Sequence, residues 1–321
     1  MTCRDSLGTS RPDGPYVSWV VVQHGSAQPL FSLIRSVQCH AEMNRVRELL
    51  VIDNGNALAE EARDGIISAD LPTRIIVNAS SNYASGVNLG VSQSIDELVI
   101  VSNNDVELLP QSSLSGMAQS LLENSRAGVC APQLVFPDGS WQQSVLPRGD
   151  SLVSLIGALL FVNTLRSMRA RRRMRKGVNR PRFVGRAVGP FMMVKRSVFE
   201  RMGGMSESYS YGEDIDFFHR MRLGNQRTLF MPDSVVLHVG AGARGIPSPR
   251  YALGLYQSHK RFYREALGSA LGGAFMKLWL AGYAERALLW GFLGRLLDHE
   301  ELRRRASLAR SVLSAGKRIA R

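Results

Sequence analysis

The sequence predicts an α/β fold built on a parallel, doubly wound sheet. Two observations carry this. Four short apolar, β-branched runs are flanked by polar residues, and helix-length stretches separate them. The runs recur roughly every 25 to 30 residues, which is the repeat of strand–helix–strand units. With 321 residues, 45% of them hydrophobic, the chain can bury a full core.

Residues 17–22, 49–52, 73–77 and 98–101 read as buried strands. Residues 29–39, 57–67 and 86–94 read as the helices between and after them. The second half is less regular. Residues 132–139 contain the turn Pro137-Asp138-Gly139, and 183–194 is apolar with Gly189-Pro190 inside it. Residues 196–202 read as a short helix ending at Gly203-Gly204. A further helix starts at Glu213-Asp214-Ile215-Asp216 and runs to Leu223, where Gly224 stops it. A last strand, 235–239, contains His238.

Sheets of this kind bind ligands at the carboxyl ends of their strands. After the first strand comes Gln23-His24-Gly25-Ser26-Ala27, whose single glycine excludes the dinucleotide fingerprint. No phosphate-binding P-loop follows any strand, which counts against an ATPase. Asp53-Asn54-Gly55-Asn56 follows the second strand and Asn103-Asn104-Asp105 the fourth. Acids at two strand ends of one sheet suit a ligand that carries hydroxyls and a metal-bound phosphate.

Each cluster also has a plainer reading. Asp53 serves either as a turn cap or as an acceptor for a nucleobase or ribose. Asn103-Asn104-Asp105 is a turn or a cation site. Glu213, Asp214 and Asp216 suit a helix start, but three acids in four positions repel one another, and a carboxylate there is well placed as a general base. His238 lies in an apolar run, where a histidine commonly just packs.

Composition narrows the class. The 30 glycines show no triplet period, which excludes collagen. Three scattered cysteines, Cys3, Cys39 and Cys130, argue against a disulfide framework and a zinc ribbon. Residues 1–15 are polar and turn-rich, without the apolar run of a signal peptide, so a disordered start and a reducing cytoplasm are expected.

The motifs, taken in order, resemble the family 2 glycosyltransferases, and within them the rhamnosyltransferase-like branch. The resemblance rests on 17–23, Asp53-Asn54-Gly55, the stretch from Asn82 to Gly90, and Ser102-Asn103-Asn104-Asp105-Val106. Ala131-Pro132-Gln133-Leu134, Pro137-Asp138-Gly139, Gly189-Pro190, Gly203-Gly204, Glu213-Asp214-Ile215-Asp216 and His238 continue it. It runs from about residue 16 to 265. Several positions depart from the family's pattern. Asn103 stands where the metal motif often has Asp, and Gln23-His24-Gly25 where Asn-Tyr-Asn is common. Ser80-Ser81-Asn82 replaces Asn-x-Gly, and Gly204-Met205-Ser206-Glu207 replaces Gly-Phe-Asp-Glu.

The resemblance implies a GT-A fold: a mixed, mainly parallel sheet with flanking helices and, here, a C-terminal helical extension. It divides the chain into a nucleotide-sugar-binding half at 16–130, an acceptor-binding half at 131–265, and amphipathic, basic helices at 266–321. It implies transfer of a sugar, with inversion, from a nucleotide-diphosphate donor to a hydroxyl of a glycan or lipid-linked acceptor in bacterial cell-surface polysaccharide synthesis. It also implies a divalent cofactor, Mg²⁺ or Mn²⁺. Carried over by position, Gln23, Asp53, Asn82, Asn88, Asn103 and Asn104 contact the donor. Asp105 and His238 hold the metal. Gly189, Pro190 and Glu213 lie at the acceptor, and Asp214 is the base.

The net charge of +13 is concentrated. Residues 151–186 hold ten Lys/Arg and 302–321 hold seven, with no acid in either, so the rest of the chain is slightly acidic. Each basic stretch adjoins apolar sequence. Residues 152–165 are too few for a spanning helix, which needs about 20, and the basic run 166–176 follows at once. Residues 267–297 are interrupted by Lys277, Glu285, Arg286 and Arg295, and the basic tail follows. Both read as interfacial segments on an anionic leaflet, placing the protein peripherally at the inner face of the plasma membrane. The alternatives are core helices with solvated basic ends, or a contact with a second copy. Nucleic-acid binding is disfavoured because the 166–176 run has no aromatic for base stacking. A non-catalytic, sugar-nucleotide-binding relative is the other rival, favoured by Asn103.

Overall fold

The computed structural model describes residues 14–148, 151–153, 156, 180–209, 211–240 and 249–319. They fall into two compact units.

The first unit holds the sheet. Strand β1 (Val17–Gln23) is followed by helix α1 (Gln28–Gln38), β2 (Val46–Asn54), α2 (Glu60–Ile67), β3 (Thr73–Asn78), α3 (Tyr83–Gln93) and β4 (Leu98–Asn103). The expected strands and helices of this half are all present, but β3 lies at the sheet edge, so residues 73–77 are half-buried or exposed and not buried as the sequence suggests. Pairing of β1 with β2 and β4, and of β2 with β3, is parallel. Along β1 the side chains alternate: Val17, Trp19 and Val21 join one core cluster and Val20 and Val22 the other. Both faces are therefore covered, which is why the strand reads as a continuous apolar run. Helix α3 lies close to β1, since a Cβ on Gly90 would stand 2.2 Å from Val20 Cγ1.

The sheet then turns mixed. Its order is β3-β2-β1-β4-β10-β6-β11-β5, with β8 (Arg182–Val184) paired to β11. Strands β5 (Val106–Leu108), β6 (Ala127–Val135), β10 (Phe191–Lys195) and β11 (Arg227–His238) make up this half, and β7 (Val145–Leu146) pairs with β9 (Arg186–Ala187) separately. Strand β10 is antiparallel to both β4 and β6, and β11 is parallel to β6 but antiparallel to β5. Helices α4 (Leu114–Glu123) and α5 (Arg196–Arg201) belong here, as does most of α6 (Glu213–Leu223).

Three differences from the sequence reading have physical causes. Strand β6 includes Pro132, a residue that argues against a strand interior, and its pairing with β10 is confined to Val129 and Cys130. Strand β11 is far longer than 235–239, because Pro232-Asp233-Ser234 is absorbed as a register irregularity between Met231 and Val235. Cys39 is disulfide-bonded, although the scattered cysteines pointed the other way; Cys130 is a buried free thiol.

The second unit comprises Ser208–Asp216 with helices α7 (Pro249–Leu267), α8 (Ser269–Leu296) and α9 (Glu300–Ile319). Tyr209, Ile215, Tyr256, Phe262, Tyr263, Phe275, Met276 and Ala315 form its core. Helix α7 thus groups with the C-terminal helices, whereas the sequence reading placed it with residues 16–265. The basic run 166–176 and the N-terminal residues 1–13 lie outside the described residues.

Candidate active site

The chain passes from β1 outward to β2 and β3, then returns to place β4 on the other side of β1. The carboxyl ends of β1 and β4 therefore flank the point where the winding reverses, the usual crevice for a ligand. Gln23 ends β1 and is buried. The Asn104 amide Nδ2 donates to Gln23 Oε1 at 2.8 Å and to the His24 carbonyl at 3.2 Å. The Asn103 backbone N–H donates to the Pro190 carbonyl at 3.0 Å, so Gly189-Pro190 lies directly against the end of β4. The fold thus gathers Gln23, Asn103, Asn104, Gly189 and Pro190 at one edge.

Asp105 and His238 meet at the next pair of strands. Antiparallel pairing sets His238 opposite Val106, and the Val239 N–H donates to the Asp105 carbonyl at 3.0 Å. His238 Nε2 then stands 3.3 Å from Asp105 Oδ1, while its Nδ1 is 3.1 Å from Gln142 Oε1. An amide oxygen only accepts, so with Oε1 facing Nδ1 the proton sits on Nδ1. His238 Nε2 faces the carboxylate oxygen of Asp105. At this distance the imidazole and the carboxylate form a hydrogen-bonded pair when Nε2 is protonated, and they present one nitrogen and one oxygen to a cation when it is not. Among the described residues no group of three or more His, Cys, Asp or Glu could hold a metal.

Other expected donor contacts are taken up by the chain itself. Asp53 is fully buried; Oδ1 accepts from the Ala57 N–H at 2.8 Å and the Leu58 N–H at 3.2 Å, and Oδ2 pairs with the Arg63 guanidinium. Arg63 also donates to Asn56 Oδ1 at 2.7 Å. The turn-capping role of Asp53 is therefore present. Asn82 caps α3 by accepting from the Ser85 N–H at 3.2 Å, and it donates to the Glu207 carbonyl at 3.0 Å. Asn88 accepts from the Met205 N–H and donates to the Met205 carbonyl, both at 2.8 Å, and donates to Glu207 Oε1 at 3.0 Å. These two amides pin the loop that follows Gly203-Gly204.

The three acids lie in the first turn of α6. Gly212, at φ +78, supplies the left-handed residue that starts the helix, and its carbonyl accepts from the Ile215 N–H at 3.0 Å. Burial, and then the neighbouring Asp214 charge, push the Glu213 carboxyl up to about 7. Tyr251 sits in the same field: its phenol is raised first by burial and then by Asp214. Its ring packs edge-on against Tyr211 with centroids 5.0 Å apart. A carboxyl poised near neutrality beside a second carboxylate can exchange protons with a hydroxyl at physiological pH. Sequence reasoning missed Gln142, Arg63 and Tyr251, because only the fold brings them to His238, Asp53 and the acids.

The model of a family described as Glycosyl transferase family 2 matches residues 18–203, more than half of the chain. The chain belongs to glycosyl transferase family 2. The matched stretch of this family 2 protein holds Gln23, Asp53, Asn82, Asn88, Asn103, Asn104, Asp105, Gly189 and Pro190, whereas Glu213, Asp214 and His238 follow it.

Similar proteins include the N-acetylglucosaminyl-diphospho-decaprenol L-rhamnosyltransferase of Mycobacterium tuberculosis, 28% identical over 75% of this chain and 77% of its own. The low-salt glycan biosynthesis hexosyltransferase Agl10 of Haloferax volcanii is 25% identical over 65% of this chain and 62% of its own. An uncharacterised protein of Sinorhizobium fredii is 28% identical over 62% of this chain, which spans only 22% of that protein. Among solved structures, the mannosyltransferase PcManGT of Pyrobaculum calidifontis, in complex with GDP-Man and Mn²⁺, aligns with 97% of this chain and 88% of its own at a TM-score of 0.56 and 14% identity. GalNAc-T7 with UDP, GalNAc and Mn²⁺ aligns with 79% of this chain and 51% of its own at 0.55 and 14%. The family 2 chain thus has the GT-A fold that the motifs imply.

Proposed function

We propose that this family 2 protein is a metal-dependent, inverting glycosyltransferase. It moves a hexosyl or rhamnosyl group from a nucleoside-diphosphate sugar to a hydroxyl of a glycan or lipid-linked acceptor in cell-surface polysaccharide synthesis. The observation that carries this is the meeting of Asp105 Oδ1 and His238 Nε2, 3.3 Å apart, in a family 2 protein. The relative acting on a decaprenol-linked substrate supports the lipid-linked acceptor class.

In this reading Gln23, Asn103 and Asn104 line the donor crevice, with Asp53 behind them holding the loop at 55–58. Gly189 and Pro190 border the acceptor. Asp105 and His238 bind a divalent cation, which when present neutralises charge on the leaving diphosphate. Asp214 accepts the proton of the acceptor hydroxyl. That oxygen attacks the anomeric carbon opposite the diphosphate, the bond to the diphosphate oxygen breaks with its electron pair, and the centre inverts. Holding both substrates in line supplies the proximity part of the rate. Glu213, beside Asp214, stays partly protonated at neutral pH and limits the negative charge around the base.

The same proposal places the protein peripherally on the cytoplasmic face of an anionic membrane. No described helix is long and apolar enough to cross one. Support comes from α8, where Leu288, Phe292 and Leu296 recur at helical spacing and are 76%, 63% and 67% exposed, beside the exposed Arg295. The basic run 166–176 adds to this in sequence.

A second reading, a non-catalytic binder of nucleotide sugars, is favoured by Asn103, which removes one anionic ligand. Thermal shift against a set of nucleotide sugars with and without Mn²⁺ tests donor binding, because a bound donor raises the melting temperature by mass action. Donor hydrolysis in the presence of metal then separates the two readings: turnover supports the enzyme, and binding without turnover supports the binder.

A further inference from the structure

We infer that Gln142 sets which imidazole nitrogen of His238 carries the proton, and so keeps Nε2 available as a metal ligand. The inference rests on the metal reading above and assigns a positioning role to a residue outside the ligand set.

Gln142 and His238 are both buried, and Oε1 lies 3.1 Å from Nδ1. While Oε1 faces it, Nδ1 carries a proton, which in the neutral ring leaves the Nε2 lone pair for a metal. Were the amide turned over, its NH₂ would donate to Nδ1. The proton would then sit on Nε2, donate to Asp105 and block ligation. Amide orientation and metal ligation are therefore linked through one imidazole, in the way that partners behind a ligand commonly fix its tautomer.

The backbone around Gln142 is built to hold this residue in place. Its N–H donates to the Leu134 carbonyl at 3.0 Å, and its carbonyl accepts from Gln133 Nε2 at 2.8 Å and Ser144 Oγ at 3.1 Å. The turn at Pro137-Asp138-Gly139 closes with a bridge between Val135 and Trp141, and this folds the chain back along β6. Strand β11 runs parallel to β6, pairing Leu237 with Val135, so the returning chain sets Gln142 against His238. The turn motif thereby delivers the amide that orients the ligand.

The full-length protein allows a direct test with Mn²⁺ alone as the probe, its free concentration read by electron paramagnetic resonance. Wild type, Gln142→Leu and Gln142→Glu are compared, with melting curves confirming that each is folded. Leucine keeps the volume but cannot accept, so Mn²⁺ affinity falls on the order of 10- to 100-fold. Glutamate also accepts from Nδ1–H and holds affinity within a few-fold of wild type. Independently, ¹⁵N spectra of the His238 ring in Mg²⁺-loaded wild type show the proton on Nδ1. Equal Mn²⁺ binding by wild type and folded Gln142→Leu overturns the role of Gln142, as does a proton found on Nε2 in the Mg²⁺-loaded protein. Absence of Mn²⁺ binding by wild type is a different result, and it removes the metal reading itself.

Discussion

Asp105 and His238 stand 3.3 Å apart although distant segments of the sequence supply them, one between β4 and β5 and the other at the end of β11. The antiparallel register of β5 against β11 closes the gap. Neither residue is distinctive alone; the fold sets a turn acid and an apolar-strand histidine against one another.

That pair sets the first expectation. Asp105→Ala and His238→Ala each raise the Mn²⁺ concentration needed for half-maximal transfer, and chelator abolishes wild-type activity. Chelator-resistant transfer would return His238 to a packing role.

Asp214→Asn keeps size and most hydrogen bonding but removes the base. Transfer falls by about 10² or more, the range for losing general base catalysis, while donor binding by thermal shift is kept. Near-wild-type transfer would take Asp214 out of that role.

Glu213 predicts a pH effect on stability. Its folded value of about 7 lies above its ordinary 4.5 because burial, then Asp214, disfavour the charged form. The native state binds the extra proton, so this stability is fully present below pH 4.5 and is lost as pH rises through about 7. Glu213→Gln is neutral throughout, so its melting temperature gains on wild type between pH 5 and pH 8. Parallel curves would show that Glu213 is not perturbed.

Gly90→Ala tests the seat of α3. The added Cβ meets Val20 Cγ1 at 2.2 Å, and Val20 is a buried, branched residue in a central strand with little freedom to move. Overpacking of this kind costs about 1–3 kcal/mol, measurable by chemical denaturation. An unchanged denaturation midpoint would mean that the helix shifts freely.

Membrane attachment is checked with vesicles. Each Lys/Arg near an anionic surface contributes on the order of 1 kcal/mol, so the protein sediments with anionic liposomes, less with neutral ones, and less at high salt. Gln at positions 171, 172, 173 and 175, or Ser at 288 and 292, weakens sedimentation and leaves transfer to a soluble acceptor analogue unchanged. No sedimentation with either vesicle would make these segments solvated helix ends or a protein contact.

The sequence by itself determined the first half of the sheet, helix α6 and the family. Buried strands must be apolar on both faces, and a helix stopped by glycine announces its end, so 17–22, 49–52, 98–101 and Glu213–Leu223 are legible from local pattern, while 73–77 is legible as a strand but not as the edge strand it is. It also nominated Asp105, from its place at a strand end and the order of the motifs, and His238 from the order of the motifs alone.

The tertiary structure alone decided the rest. Strand β6 with its proline and β11 with its Pro232-Asp233-Ser234 irregularity are held by neighbouring strands and not by their own propensity. The capping of Asp53 by Arg63, the pinning of Met205 by Asn88 and the approach of Gln142 to His238 join positions whose spacing along the chain carries no period. Periodicity reports which face of an element is buried; it does not report which side chain of a distant element will meet it. That depends on sheet order and register, which are set only when the whole sheet closes its hydrogen bonds.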